Sequence, residues 1–362
     1  MDIQDHLIFY IAFFTGSFLF SFLINGLFLR FASSLGIRNH DSNDTIVRWG
    51  STSKPAFGGI SFYISFLVST SLFAIFFDHK IEQEFLGLLA ASSLGFIVGL
   101  ADDAFNTRPL LKFLGQVMCG VILILTNNVI DLFDIELLNY LFTLFWVIGL
   151  MNSINMLDNM DAITTSISLT IICSALFMIL LQKEYDSIYL LVLMGVASSL
   201  FGFLYYNWHP SKMYMGDTGS QFLGVFLACI GINYFWNFED VNENVIFSKQ
   251  ALTAILVFIM PIIDTTTVVI NRLRRGQSPF VGGKDHTTHC LSYLGFSDRH
   301  VAFTFAGISL LSLVFVFYIY KYVTNWSYIH IISILGYCLT LFIIFYAISR
   351  KFEFKHAVKK EE

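Results

Sequence analysis

Five polar stretches interrupt a mostly apolar chain, and they hold most of the side chains able to bind a metal or a phosphate. The densest runs from Tyr206 to Ser220. Within it Asp217 offers hard carboxylate oxygens of the kind Mg²⁺ prefers, and Gly216 and Gly219 let the backbone approach a ligand and leave N–H groups free. Thr218 and Ser220 add hydroxyls and Lys212 a point charge. A tight polar turn between two helices is the plainer reading of this stretch alone. A second stretch sets Asp102 beside Asp103 at a helix end, with Arg108 and Lys112 following; adjacent carboxylates there are costly unless they face cations. A third places Asn152, Asn155 and Asp158 at i, i+3 and i+6, on one helical face, with Asp161 continuing the row. A fourth, Lys54 to Gly59, opens a helix with a glycine pair suited to close packing or to phosphate approach. The fifth, 271–299, begins with Arg272, Arg274 and Arg275 and carries Asp285, His286 and His289. Phosphoryl chemistry needs this mixture: Mg²⁺ on carboxylate and amide oxygens, Lys and Arg against the remaining charge, and a carboxylate or imidazole to move a proton.

The elements that must position these groups are membrane helices. Of the 362 residues, 56% are hydrophobic and 13% charged, about half the charged share of a soluble domain, and mean hydropathy is +0.69. The chain reads as an all-α polytopic integral membrane protein forming a single domain, residues 1–362, with a short charged tail over 349–362. Apolar runs able to cross about 30 Å of hydrocarbon fall near 7–29, 57–77, 85–101, 110–126, 137–154, 162–181, 187–205, 220–236, 250–270, 300–320 and 328–348, which predicts about 11 transmembrane helices. The runs near 85–101 and 110–126 are short. The N-terminus has no cleavage signature, so 7–29 reads as a first span. Alternate loops carry 17 of the 21 Lys and Arg residues, which makes that face cytoplasmic, the N-terminus external and the C-terminus cytoplasmic. All five candidate stretches lie on this basic face, so the active site is expected on cytoplasmic loops. The other face holds Glu82, Glu84, Asp131, Asp134, Glu136, Glu239, Asp240 and Glu243, read as solvated connections. The five scattered cysteines read as free thiols. Asp264, inside a span after Pro261, is either functional or the ion-pair partner of Arg272.

Taken together the loops resemble the polyprenyl-phosphate N-acetylhexosamine-1-phosphate transferases, glycosyltransferase family 4. The resemblance covers nearly the whole chain. It rests on Gly99-Leu100-Ala101-Asp102-Asp103 with Lys112, on Asn152 to Asp161, on Met215-Gly216-Asp217-Thr218-Gly219-Ser220 with Asn207 and Pro210 before it, and on the basic loop from Arg272 to His289. Ser278-Pro279-Phe280 and Leu291 to Ser297 are closer to the branch that starts O-antigen, enterobacterial common antigen and teichoic acid synthesis than to the peptidoglycan branch. Two departures stand out. The family pattern Asp-Gly-x-Asp-Gly appears as Asp158-Asn159-Met160-Asp161-Ala162, and His-x-His-His appears as His286-Thr287-Thr288-His289.

The resemblance implies transfer of a sugar-1-phosphate from a UDP-activated amino sugar, UDP-GlcNAc first, to a polyprenyl phosphate such as undecaprenyl phosphate, with release of UMP. It implies Mg²⁺, or Mn²⁺ in its place, on Asp217 and Asn155. Asp102, Asp103, Asp158, Asp161 and His286 are then the catalytic candidates, and Lys54, Lys112, Asn207, Arg272, Arg274 and His289 the substrate and phosphate binders. Asp102 or Asp103 would meet the lipid phosphate, and Asp158 and Asp161 would orient Lys112 or the nucleotide. Direct displacement and a two-step route through a covalent Asp both fit. The expected setting is the plasma (inner) membrane with the catalytic face cytoplasmic, in a monomer or homodimer, with no nucleic-acid partner. Two other readings compete: a catalytically silent relative that binds UDP-sugar or lipid, and a cation-coupled transporter, whose sites would lie nearer the bilayer midplane.

Overall fold

A computed structural model of the chain describes residues 3–34, 54–77, 81–238, 246–278 and 283–361, with side chains described over 8–31 in the first stretch and to 351 in the last. Arg38, Arg48, Lys80, Glu239, Asp240, Glu243, Pro279 and Phe280 lie outside these residues, as do the side chains of Lys355, Lys359 and Lys360.

Each apolar run is helical, and no strand occurs among the described residues. This is what hydrocarbon demands, since a helix satisfies its backbone polar groups internally. The order is α1 (Ile3–Ser34), α2 (Gly58–Phe76), α3 (Gln83–Phe105), α4 (Pro109–Leu125), α5 (Glu136–Leu157), α6 (Ile163–Gln182), α7 (Ile188–Asn207), α8 (Gly216–Gly231), α9 (Phe247–Val257), α10 (Ile259–Arg274), α11 (Thr287–Tyr293), α12 (Asp298–Tyr322) and α13 (Tyr328–Glu361). Among the described residues nine helices are long and apolar enough to cross a membrane, counting α8 with the π-helical turn Ile232–Trp236 that extends it. The pair α9 and α10, bent by 77°, is a broken span or a re-entrant loop, and as one span it would make ten. The chain is thus a multi-span membrane protein. The run near 85–101 extends into the 23 residues of α3, whereas α4 stays at 17 residues, about 25 Å at 1.5 Å per residue.

The span expected over 250–270 is the one the structure breaks. Pro261, in the first turn of α10, has no N–H to give to the carbonyl of Val257, so the helical ladder cannot run through Phe258. The second half of the pair then carries Asp264 and Arg272 off at a new angle toward α11.

At the centre stands α8, buried from Thr218 to Gly231. It packs chiefly on α3 and α5. The approach is close enough to require glycine: a Cβ on Gly59 would lie 2.2 Å from Gly219 N, and one on Gly99 would lie 2.2 Å from Asp217 O. The Gly58–Gly59 pair therefore serves packing. Its N–H groups donate to Tyr214 O at 3.2 Å and Met215 O at 3.0 Å, so they are not offered to a phosphate. All five cysteines are free thiols.

Candidate active site

The C-terminal ends of α3, α5, α7 and α10 and the N-terminal ends of α2, α4, α6, α8 and α12 meet at one end of the bundle, joined by contacts among the polar stretches. Lys112 is the focus. Its ammonium lies 2.8 Å from Asp102 Oδ2, 3.1 Å from Asp217 Oδ1 and 3.4 Å from Asn155 Oδ1. Asn155 Nδ2 donates to Asp217 Oδ1 and, at 2.8 Å, to Ser220 Oγ. Asp102 Oδ1 accepts from Thr107 N at 2.9 Å and Thr107 Oγ1 at 2.6 Å, which closes the turn after α3. Three helix ends thus aim three oxygen donors at one cation. Behind them Gln116, Asn152 and Gln221 form an amide network, with Gln116 Nε2 donating to Gln221 Oε1 at 3.0 Å and Asn152 Nδ2 to Gln116 Oε1 at 2.8 Å.

Asp103 has a different position. Its carboxylate accepts from Asp217 N at 3.0 Å, from Thr218 N at 2.8 Å and from Thr218 Oγ1 at 2.6 Å. It caps α8 from a neighbouring helix, satisfying N–H groups that have no intrahelical partner. Both oxygens are committed to holding Asp217 in place.

The row read along α5 breaks where the helix ends. Asn155 still faces Asp217, but α5 stops at Leu157 and Asp158 is its C-cap. Burial, then the charges of Asp217, Asp103 and Asp161, push the Asp158 carboxyl up to about 8. Asp161 turns away from Lys112. It accepts from Ser211 Oγ at 2.6 Å and Ser211 N at 2.9 Å, meets His209 Nδ1 at 3.0 Å and lies 3.7 Å from Lys54 Nζ. Of the two roles expected of Asp161, orienting Lys112 or the nucleotide, the first does not fit these partners: Asp161 pins the loop before α8. Lys54 joins this network by donating to Ser211 Oγ at 2.8 Å. Asn207 accepts from Ala162 N at 3.1 Å and Thr165 Oγ1 at 2.8 Å and donates to Met213 O at 3.1 Å. It is buried, and through these contacts it anchors two loops. Ala162, where the family pattern has glycine, sits at φ +65, a left-handed conformation that costs a residue with a Cβ about 1–2 kcal/mol.

The fifth stretch folds against α10. Asp264 is fully buried, receives Thr287 N at 2.8 Å and Thr287 Oγ1 at 2.6 Å, and sits 2.9 Å from His286 Nδ1. It holds the imidazole in one orientation and leaves Nε2 as the ring atom able to act elsewhere. Arg272, the alternative partner considered for Asp264, instead makes a two-pronged pair with Asp285, Nε to Oδ2 at 3.0 Å and an Nη2 contact with Oδ1 at 2.6 Å, and Arg275 adds a third bond at 2.5 Å. Burial opposes ionisation of Asp285, yet the Arg272 and Arg275 guanidinium groups outweigh it and hold the carboxyl at about 2. Arg274 donates to Tyr346 Oη on α13. Burial, then the charge of His286, lowers His289 to about 4. Asn159 and Thr288, the positions that depart from the family pattern on either side of this junction, meet at 2.8 Å.

The structure thus brings Asp102, Lys112, Asn155 and Asp217 together, places Asp103 and Asp158 beside them, and sets Arg272 at the end of α10 and His286 and His289 at the start of α11. Sequence reasoning missed Thr107, Ser211 and the pairing of Asp264 with His286, whereas Ser220, singled out as a hydroxyl of the densest stretch, accepts from Asn155. The one available signal was an acid inside a span, and its partner lies 22 residues away. No group of three His, Cys, Asp or Glu side chains among the described residues gathers as a metal site. The oxygen set around Lys112 Nζ instead combines two carboxylates with one amide, hard donors that fit Mg²⁺ with further oxygens supplied by a phosphate.

Comparison with known proteins agrees with this arrangement. The model of the family described as "Glycosyl transferase family 4" matches residues 85–235, from α3 to the end of the π-helical turn. A Bacillus subtilis protein named "Probable undecaprenyl-phosphate N-acetylglucosaminyl 1-phosphate transferase" is 26% identical over 306 residues, 82% of this chain and 81% of that protein. A "Decaprenyl-phosphate N-acetylglucosaminephosphotransferase" of Mycobacterium leprae is 26% identical over 283 residues, 69% of each chain. A "Phospho-N-acetylmuramoyl-pentapeptide-transferase" of Staphylococcus epidermidis is 30% identical over 246 residues, 60% of this chain and 70% of that protein. With the helix order and the converging acidic loops, these matches establish that the chain belongs to glycosyl transferase family 4.

Proposed function

We propose that the protein transfers an N-acetylhexosamine-1-phosphate, GlcNAc-1-phosphate in the first instance, from a UDP-sugar to undecaprenyl phosphate or a similar polyprenyl phosphate. The observation that carries this reading is the convergence of Asp102, Asn155 and Asp217 on the Lys112 ammonium at helix ends, beside the His286–Asp264 pair. Support for the substrates comes from the names of the relatives. The excess of Lys and Arg on this end supports a cytoplasmic catalytic face in the inner membrane, with the N-terminus outside.

In the proposed reaction an oxygen of the lipid phosphate attacks the β-phosphorus of the UDP-sugar. The bond from that phosphorus to the bridging oxygen breaks, its electron pair stays with UMP, and a lipid-diphospho-sugar remains. Asp217 and Asn155, with Asp102 alongside, would hold Mg²⁺, which when bound neutralises charge on the pyrophosphate oxygens. Lys112 is the mobile cation of the site: it balances the carboxylates now and a phosphate once substrate arrives. His286, oriented through Nδ1 by Asp264, presents Nε2 to stabilise or protonate a phosphate oxygen. Asp103 acts at one remove, by fixing the turn that bears Asp217, and its committed oxygens favour direct displacement over a covalent Asp103 intermediate. The test is UMP release by purified protein in detergent, omitting lipid, UDP-GlcNAc or Mg²⁺ in turn. Release that needs all three supports the reading, and none with any UDP-amino sugar refutes it.

A further inference from the structure

The end of α5 with the turn after it, α10, and the start of α11 are tied pairwise by buried polar contacts. Ser153 Oγ on α5 donates to Pro261 O on α10 at 2.8 Å. Asp264 on α10 takes His286 and Thr287 at the start of α11. The remaining side is closed by Thr288 Oγ1, which donates to Asn159 Oδ1 at 2.8 Å across 129 residues of sequence. Thr288 is fully buried, and Asn159 is itself fixed by donating Nδ2 to Met156 O at 2.7 Å. This link sits one residue from Asp158 on one side and between His286 and His289 on the other. The same two positions depart from the family pattern, asparagine for glycine and threonine for histidine. Bulk has moved from one side of the contact to the other, and Asn159 fills space in front of residue 288.

We infer that Asn159 and Thr288 act as one positioning unit that sets the distance between the end of α5, with Asn155 and Asp158, and the His286–Asp264 pair, and so shapes the recess that takes the diphosphate of the UDP-sugar. Neither side chain titrates near neutral pH, so the link persists across a range in which an imidazole at 288 would change charge. The inference rests on the transferase reading. In that reading Asn155 and Asp217 hold the metal at the diphosphate of the UDP-sugar and Asp102 meets the lipid phosphate, which assigns the pair, next to Asp158 at the end of α5, to the nucleotide.

The experiment is a double-mutant cycle with Asn159→Ala, Thr288→Val and both together, read as kcat, the KM for UDP-GlcNAc, the KM for undecaprenyl phosphate, and the Kd for UDP by calorimetry. Each single variant is expected to raise the UDP-GlcNAc KM and the UDP Kd about tenfold, the upper range for one neutral hydrogen bond, with kcat and the lipid KM within about twofold. The double variant should be no worse than the weaker single, because both remove one interaction. Thr288→Ser, which keeps the hydroxyl, should stay near wild type. Thr288→His alone should lose stability and affinity, and Asn159→Gly in the same chain should recover both by reopening the space. Effects that multiply in the double variant, a lipid KM that moves as much as the nucleotide KM, or a Thr288→Ser as weak as Thr288→Val would overturn the inference. Unchanged UDP affinity in every variant would also overturn it while leaving the transferase reading intact. A wild-type protein that neither turns over nor binds UDP would refute both.

Discussion

Replacing Asp103 with alanine separates a positioning role from a catalytic one. The substitution removes three hydrogen bonds from the first turn of α8, two of them from backbone N–H groups of Asp217 and Thr218. Loss of a cap costs about 0.5–2 kcal/mol, and loss of a negative charge at a helix N-terminus about 0.3–1 kcal/mol more. A total of about 2 kcal/mol is therefore expected, placed on the turn that carries Asp217. If the whole amount is spent on misplacing Asp217, kcat/KM falls about thirtyfold, at 1.36 kcal/mol per factor of ten. The assay pairs thermal unfolding in detergent with UMP release at increasing Mg²⁺. Asp103→Ala should melt several degrees below wild type and regain part of its activity at high Mg²⁺, whereas Asp102→Ala should not regain it. An Asp103→Ala protein as stable as wild type but inactive at every Mg²⁺ concentration would refute the capping argument and return Asp103 to the chemistry.

Further outcomes follow from the same contacts. Ala162→Gly should raise stability by about 0.5–1 kcal/mol in thermal unfolding, because the left-handed conformation at φ +65 is free for glycine, less the backbone entropy glycine adds to the unfolded chain. Asp264→Asn keeps the size of the buried side chain but cannot fix the His286 tautomer in the same way, so kcat should fall about a hundredfold, within the usual range for acid–base groups; near-normal kcat would show that the pair is structural. His289 is lowered to about 4 when folded, so between its unfolded value near 6.5 and 4 the unfolded chain binds the extra proton and stability drops as pH falls. His289→Gln should flatten that part of the melting-temperature profile. Asp285, an acid held at about 2, acts in the same direction at lower pH: its contribution is complete above its unfolded value near 4 and is lost as pH falls through 2.

Much of this architecture was legible because hydrocarbon permits few solutions. Each apolar run became a helix, and the polar stretches between alternate runs met at one end. What the sequence could not show was which acid met which partner. Asp103 pairs with Thr218 across 115 residues and Asn155 with Asp217 across 62, separations for which helical periodicity carries no information. Periodicity also misled at Asp161, since the i, i+3, i+6 row holds only while the backbone is helical and α5 ends at Leu157. Asp264 appeared within reach of Arg272 on a straight helix. The loop returning after α10 brings Asp285 to the arginine and His286 to the acid instead, a choice made by tertiary packing. The glycines were read correctly as sites of close approach, but at Gly58 and Gly59 the approaching group is α8 and the loop before it.

The most direct test of the central claim is UMP release from UDP-GlcNAc and undecaprenyl phosphate by wild type, Asp217→Ala and Lys112→Ala, each titrated with Mg²⁺. The account predicts metal- and lipid-dependent release by wild type and a loss of at least about a hundredfold in both variants, the usual cost of removing one group that stabilises developing charge. Near-normal release by Asp217→Ala, or release that needs no Mg²⁺, would contradict it.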